Sequence, residues 1–161
     1  MLLGLSIPAQ AAHGPVPAAF QVRIVHRATA ETVQDALRGA AERLERPACQ
    51  AVFSDFSDTE GQALSARLAE LGQSPQAYLG QILFYDGSSQ PRCENPDVLA
   101  FTYPRSPVVF VCREALRKTY WRQPFYVEAT LIHEALHTLG LGENPPTSLE
   151  VTSRVMRRCR R

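Results

Sequence analysis

His133-Glu134-Ala135-Leu136-His137 places two of the chain's four histidines within five residues. On an α-helix, residues four apart are separated by about 40° and one turn, so both imidazoles face one point in space, the bite needed for a single metal ion. Glu134 lies about 100° round from His133, too far to bind beside both histidines but close enough to reach a water held at the metal. The spacing therefore divides the work into two ligands and a base. His13 and His26 lie far upstream and carry no comparable signal.

Such chemistry requires a helix through 124–139, and the pattern supplies one. Pro124 suits the first helical position, and Gly140 and Gly142 end the run. Projected at 100° per residue, Phe125, Val127, Ala129, Leu131, Ile132, Ala135, Leu136 and Leu139 fill an apolar arc of roughly 200°. The remaining wedge holds Tyr126, Thr130, His133, Glu134 and His137, with none of the Lys or Arg that a solvated face usually carries. A helix buried on most sides with one narrow polar wedge reads as the wall of a cleft, with Tyr126 expected to line it; Tyr103 and Tyr120 stand unranked.

The longer run His133-Glu134-Ala135-Leu136-His137-Thr138-Leu139-Gly140-Leu141-Gly142-Glu143 resembles the zincin metallopeptidases, and within them the metzincin pattern His-Glu-x-x-His-x-x-Gly-x-x-His, where the third ligand follows a glycine turn. The motif covers 11 of 161 residues. The chain is also similar to small bacterial zincin-like secreted proteins. The departure is Glu143 in place of the third histidine, and a carboxylate is an acceptable zinc ligand. The resemblance implies a zincin-like domain in which His133, His137 and Glu143 hold Zn²⁺ and Glu134 is the catalytic base in hydrolysis of peptide bonds, with a peptide or protein as substrate. Glu150 is the competing third ligand, as in zincins whose ligand sits on a later helix, although a capping box already explains it. Met156 falls within a predicted helix, and the metzincin Met-turn is not carried over to it. Two other functions stay open: a secreted zinc-binding or inactive module on a zincin frame, and a deformylase-like amide hydrolase with Cys112 as ligand.

The rest of the chain must position that helix. Phe20 to His26 alternates as a first strand. Val33, Ala36, Leu37, Ala40, Ala41 and Leu44 recur at helical spacing after a Thr32 cap, until Pro47 stops the run. Ala48 to Phe53 reads as a short buried strand, Glu60 to Leu71 as a helix ended by Gly72 and Pro75, and Gln81 to Tyr85 as a strand. After a loop over 91–97, Leu99 to Tyr103 and Val108 to Cys112 form an antiparallel hairpin around Pro104-Arg105-Ser106-Pro107. An edge of that hairpin beside the cleft would accept a peptide as an added strand. Thr147-Ser148-Leu149-Glu150 opens a last helix to Arg158 with a capping box. The sum is α+β: helices packed on a small, mostly antiparallel sheet.

Composition sets the boundaries. With 45% hydrophobic and 20% charged residues and a net charge of +1, this is one ordinary globular domain, read as 12–161. No run approaches the ~20 apolar residues of a membrane span. The balance also argues against nucleic acid as the main partner, which calls for a concentrated basic surface. Five of the 17 basic residues fall in the last eight positions, leaving 12 basic against 16 acidic groups in the body, and this arginine tail reads as a solvated helix end. Residues 1–11 end in Ala9-Gln10-Ala11, the small-x-small form of a signal-peptidase site, and read as a truncated signal peptide. Cys49, Cys93, Cys112 and Cys159 are unclustered, which fits two disulfides in a secreted or periplasmic protein. Three pairings are open; the preferred one joins Cys93 to Cys112 across the hairpin and Cys49 to Cys159.

Overall fold

The computed structural model describes residues 19–160, so the expected signal segment at 1–11 lies outside the described residues. The chain runs β1 (Gln21–Arg23), α1 (Arg27–Leu44), α2 (Pro47–Gln50), α3 (Val52–Asp55), α4 (Leu64–Glu70), α5 (Pro75–Leu79), β2 (Leu83–Asp86), a 3-10 turn (Pro91–Glu94), β3 (Ala100–Phe101), β4 (Val108–Val111), α6 (Arg113–Arg122), α7 (Pro124–Thr138) and α8 (Ser148–Cys159). This is an α+β arrangement with one four-stranded sheet in the order β1-β2-β4-β3.

The expected hairpin forms, with Phe101 opposite Phe110 in an antiparallel pair. The expectation of a mostly antiparallel sheet is wrong, because β1 with β2 and β2 with β4 both pair parallel. Parallel neighbours need a long crossover, and between β1 and β2 the chain folds α1 to α5 before returning. Strand alternation is local and does not say which distant strand lies alongside.

Two further corrections concern helices. Residues 48–53 are not a strand but belong to the short helices α2 and α3, with Pro47 at the start of α2 instead of merely ending α1. A short apolar run has no period long enough to separate the two states. In α1 the cap is His26, not Thr32: its ring accepts from the Thr29 backbone N–H, so the helix begins a turn and more before its apolar stripe. Pro75 similarly opens α5, capped by the Ser74 hydroxyl. Neither α5 nor α6 has an apolar stripe strong enough to read from sequence; α6 fully buries only Leu116.

The core is the α1 stripe packed on α7 and the sheet. Val33, Ala36, Leu37, Ala40, Ala41 and Leu44 are all fully buried. The small residues let α7 approach closely: a Cβ on Gly39 would stand 2.5 Å from Glu128 Oε1. Glu128 is thereby buried, and it pairs with Arg43, which also donates to the Cys159 carbonyl at 3.1 Å. One guanidinium so joins α1, α7 and α8. The cysteines pair as preferred, Cys49 with Cys159 and Cys93 with Cys112. The first bond ties α2 to the end of α8, and the second ties the 3-10 turn to the end of β4. The arginine tail is not simply solvated, since Arg154 and Arg158 both bind Asp55 at the end of α3.

Candidate metal centre

Helix α7 is buried along almost its whole length, and His133, Glu134 and His137 are buried with it. Its C-terminus is a Schellman motif, in which Gly140 N–H donates to the His137 carbonyl at 2.9 Å and Leu141 N–H to the Leu136 carbonyl at 3.2 Å. The motif needs a left-handed residue, and Gly140 has φ +115. Turned back in this way, the chain brings the Leu141 carbonyl to 2.7 Å from His137 Nδ1. A carbonyl only accepts, so Nδ1 carries the proton and Nε2 keeps its lone pair. On the other histidine, His133 Nδ1 lies 2.8 Å from the Thr152 hydroxyl of α8. Both rings are held through Nδ1, as ligating histidines usually are.

Beyond the turn, Glu143 comes back over the two Nε2 atoms. Its Oε1 lies 3.3 Å from His137 Nε2 and 4.0 Å from His133 Nε2, and the two Nε2 atoms are 2.9 Å apart. Donors about 2.0–2.1 Å from a tetrahedral ion stand roughly 3.3–3.4 Å from one another, so these three spacings bracket that value. The donor atoms of His133, His137 and Glu143 form a group that could hold a metal ion. Burial pushes the His133 imidazole down to about 3, so its lone pair is available at neutral pH. The residues would offer a divalent cation two imidazole nitrogens and one carboxylate oxygen.

Glu150, the competing third ligand, is engaged elsewhere. Its Oε2 accepts from the Thr147 backbone N–H at 2.7 Å and the Thr147 hydroxyl at 2.8 Å, completing the capping box at the start of α8. Cys112 is bonded to Cys93 and offers no thiolate, which removes the deformylase-like ligand set. Tyr126, expected in the cleft, instead packs against the core, and the tyrosine that lines the cleft is Tyr103.

Glu134, Glu143 and His137 open onto a cavity of about 300 Å³. Burial pushes the Glu134 carboxyl up to about 8, the Glu143 carboxylate adds to this, and the Arg92 guanidinium and Thr102 backbone N–H oppose it. A carboxyl so placed exchanges a proton near neutrality. Ala100 and Phe101 of β3 line the same cavity, as do Thr102 and Tyr103 just beyond the strand. β3 is an outer strand of the sheet.

The glycine turn is braced from behind by residues that sequence reasoning missed. Thr59 N–H donates to the Gly140 carbonyl at 3.2 Å and Arg105 N–H to the His137 carbonyl at 3.1 Å. Asp58, with no side-chain exposure, accepts from the backbone N–H groups of Glu60 and Gln62, each at 2.9 Å, and from Arg67 at 2.9 Å. Burial alone would raise the Asp58 carboxyl, but these donors hold it below the usual carboxylate range. The Asp58-Thr59-Glu60-Gly61 turn was the available signal. Thr152 and Arg92 had none, because each reaches the site from a distant element.

No family model, no curated protein and no solved structure matches this chain.

Proposed function

We propose that this chain is an exported zinc-dependent hydrolase of peptide bonds on a zincin-like frame. The observation that carries the reading is the convergence of two Nδ1-anchored imidazoles and Glu143 on one point, with buried Glu134 beside them in a cavity bordered by an outer strand. His133, His137 and Glu143 are the residues that would hold zinc, which when bound supplies Lewis acidity toward a carbonyl oxygen and toward water. Glu134 takes a proton from the attacking water as the water oxygen bonds to the carbonyl carbon, and gives a proton to the amine nitrogen as the C–N bond breaks. β3 orients the substrate by accepting it as an added strand, its backbone groups fixing direction and register. The walls of the cavity, Phe101 among them, keep bulk water from the reacting carbonyl.

Export rests on the two disulfides and the small-x-small segment at Ala9-Gln10-Ala11. No described helix is long and apolar enough to cross a membrane.

Metal analysis of the purified protein tests the reading first: about one zinc per chain is expected, lost in His133→Ala. Glu143→Ala should weaken zinc by more than the roughly 10–100-fold that loss of an outer partner costs, and Glu150→Ala by much less. Glu134→Gln should keep zinc and lower cleavage of an unbiased peptide library by about 10²–10⁴. A wild-type protein without zinc affinity, or a Glu134→Gln variant that cleaves at the wild-type rate, overturns the proposal.

A further inference from the structure

Arg92 lines the cavity without belonging to the metal group or serving as the base. It lines the same space as Glu134 and His137 and is the only Lys or Arg side chain among the described residues that does so. Its guanidinium carbon sits over the Phe101 ring at 5.3 Å and the Tyr103 ring at 5.6 Å from the centroids, within cation–π range. The two rings meet edge to face at 6.3 Å, and Phe101 in turn stacks on Phe110 at 5.3 Å, so the platform is part of the sheet. Arg43, Arg67, Arg105 and Arg158 each bind a carboxylate. Arg92 has no such partner among the described residues.

An arginine laid over aromatic faces keeps its in-plane N–H fork free, and that fork matches a carboxylate with two parallel hydrogen bonds. The backbone that carries it is pinned: the next residue, Cys93, is bonded to Cys112 at the end of β4, and the Cys112 N–H donates to the Leu99 carbonyl at 2.9 Å. An exposed turn is thus fixed at the mouth of the cavity, beside the strand edge that would take a peptide. We infer that Arg92 is an anchor for a carboxylate of the bound peptide, supplied by its C-terminus or by an Asp or Glu side chain, and that the protein selects such peptides over neutral ones. This inference rests on the peptide-hydrolase reading of the same site.

The test uses zinc-loaded protein and paired peptide libraries of identical sequence, with the C-terminus as acid or amide and with Asp and Glu kept or replaced by Asn and Gln. Cleavage is read as kcat/KM, and binding is read separately by fluorescence anisotropy on Glu134→Gln. In one of the two arms the carboxylate form should be favoured by about 10–100-fold, the range of a charge-assisted hydrogen bond. The arm that responds tells a C-terminal from a side-chain carboxylate. Arg92→Gln should bring the ratio close to one with zinc content unchanged, and Arg92→Lys, which keeps the charge but loses the fork, should fall between. Equal treatment of acid and neutral peptides by the wild type, or a preference that survives Arg92→Gln, overturns the anchor and leaves the hydrolase standing. Arg92-dependent binding of acidic peptides without any cleavage supports the anchor and overturns the hydrolase.

Discussion

Gly140 is where backbone conformation becomes site chemistry, and Gly140→Ala isolates that step. At φ +115 an alanine is strained by about 1–3 kcal/mol whatever its surroundings. The surroundings add to this, because the new Cβ would stand 3.1 Å from Asp58 Cβ and 3.3 Å from Arg105 Nε. Asp58 cannot yield easily while Arg67 and two backbone N–H groups hold its carboxylate. The combined cost is about 2–4 kcal/mol, or a fall in Tm of roughly 4–16 °C for a domain of this size. Relief of the strain by a change in the dihedrals at position 140 would shift Leu141 and draw its carbonyl away from His137 Nδ1. Losing an outer partner of a ligating histidine lowers zinc affinity about 10–100-fold.

Gly142→Ala is the control. Gly142 has no positive φ, and its Cβ would meet only the Thr59 methyl group at 3.1 Å. Its cost should stay near the ~0.5 kcal/mol of an ordinary surface change. Thermal unfolding and zinc competition against a chelating dye are measured on both variants. If Gly140→Ala matches Gly142→Ala in Tm and in zinc affinity, the glycine turn does not aim His137 and the reasoning fails.

Two other perturbations probe the frame. Hydrogen bonds from Arg158 hold the Asp55 carboxyl below the usual carboxylate range against its partial burial, and Arg154 adds to the effect. A depressed folded pKa contributes stability that is complete above the unfolded value near ~4 and is lost as pH falls through the folded one. Asp55→Asn should therefore cost about 1 kcal/mol in urea unfolding at neutral pH. The gap to wild type should narrow as pH falls below the unfolded value of ~4; a gap that stays constant through acid contradicts the pairing. The disulfides differ in the loop they close, 110 residues for Cys49–Cys159 and 19 for Cys93–Cys112. Replacing the first pair with serine should cost close to ~5 kcal/mol and the second about 3, and the opposite order in Tm would show that loop entropy is not what governs them.

What could be read from the sequence is what depends on near neighbours. The bite of His133 and His137, the glycine that ends α7, the capping box at Thr147 and the hairpin around Pro104 each lie within about a dozen residues and follow from helix and turn geometry. The α1 stripe was readable for the same reason. The parallel partners of β2 were not, since Leu83 meets Gln21 and Val108 across long stretches of chain. Residues 48–53 read as a strand because so short and mostly apolar a run has the same composition in a buried strand and in two helical turns. In the site, Glu143 was within reach of the motif, whereas Thr152, Asp58 and Arg92 come from separate elements that only tertiary packing brings to α7.

The two histidines are oriented by different means, and that difference orders the site's dependence on the fold. His137 is held by a backbone carbonyl whose position follows from Gly140, Asp58 and Arg105, all behind the turn. His133 is held by one hydroxyl on α8, so its orientation depends on how that helix docks. Docking of α8 in turn rests on the Cys49 disulfide, on Arg43 and Arg46 at the Cys159 carbonyl, and on Asp55 at Arg154 and Arg158. Most of these contacts gather at the C-terminal end of α8, while Thr152 sits in its first half. The polar contacts thus hold the C-terminal end of the helix, while buried Val151 and Val155 seat the stretch that presents the Thr152 hydroxyl. Loosening the anchor would disturb the His133 side of the centre before the His137 side, and the centre's two halves answer to two separate regions of the fold.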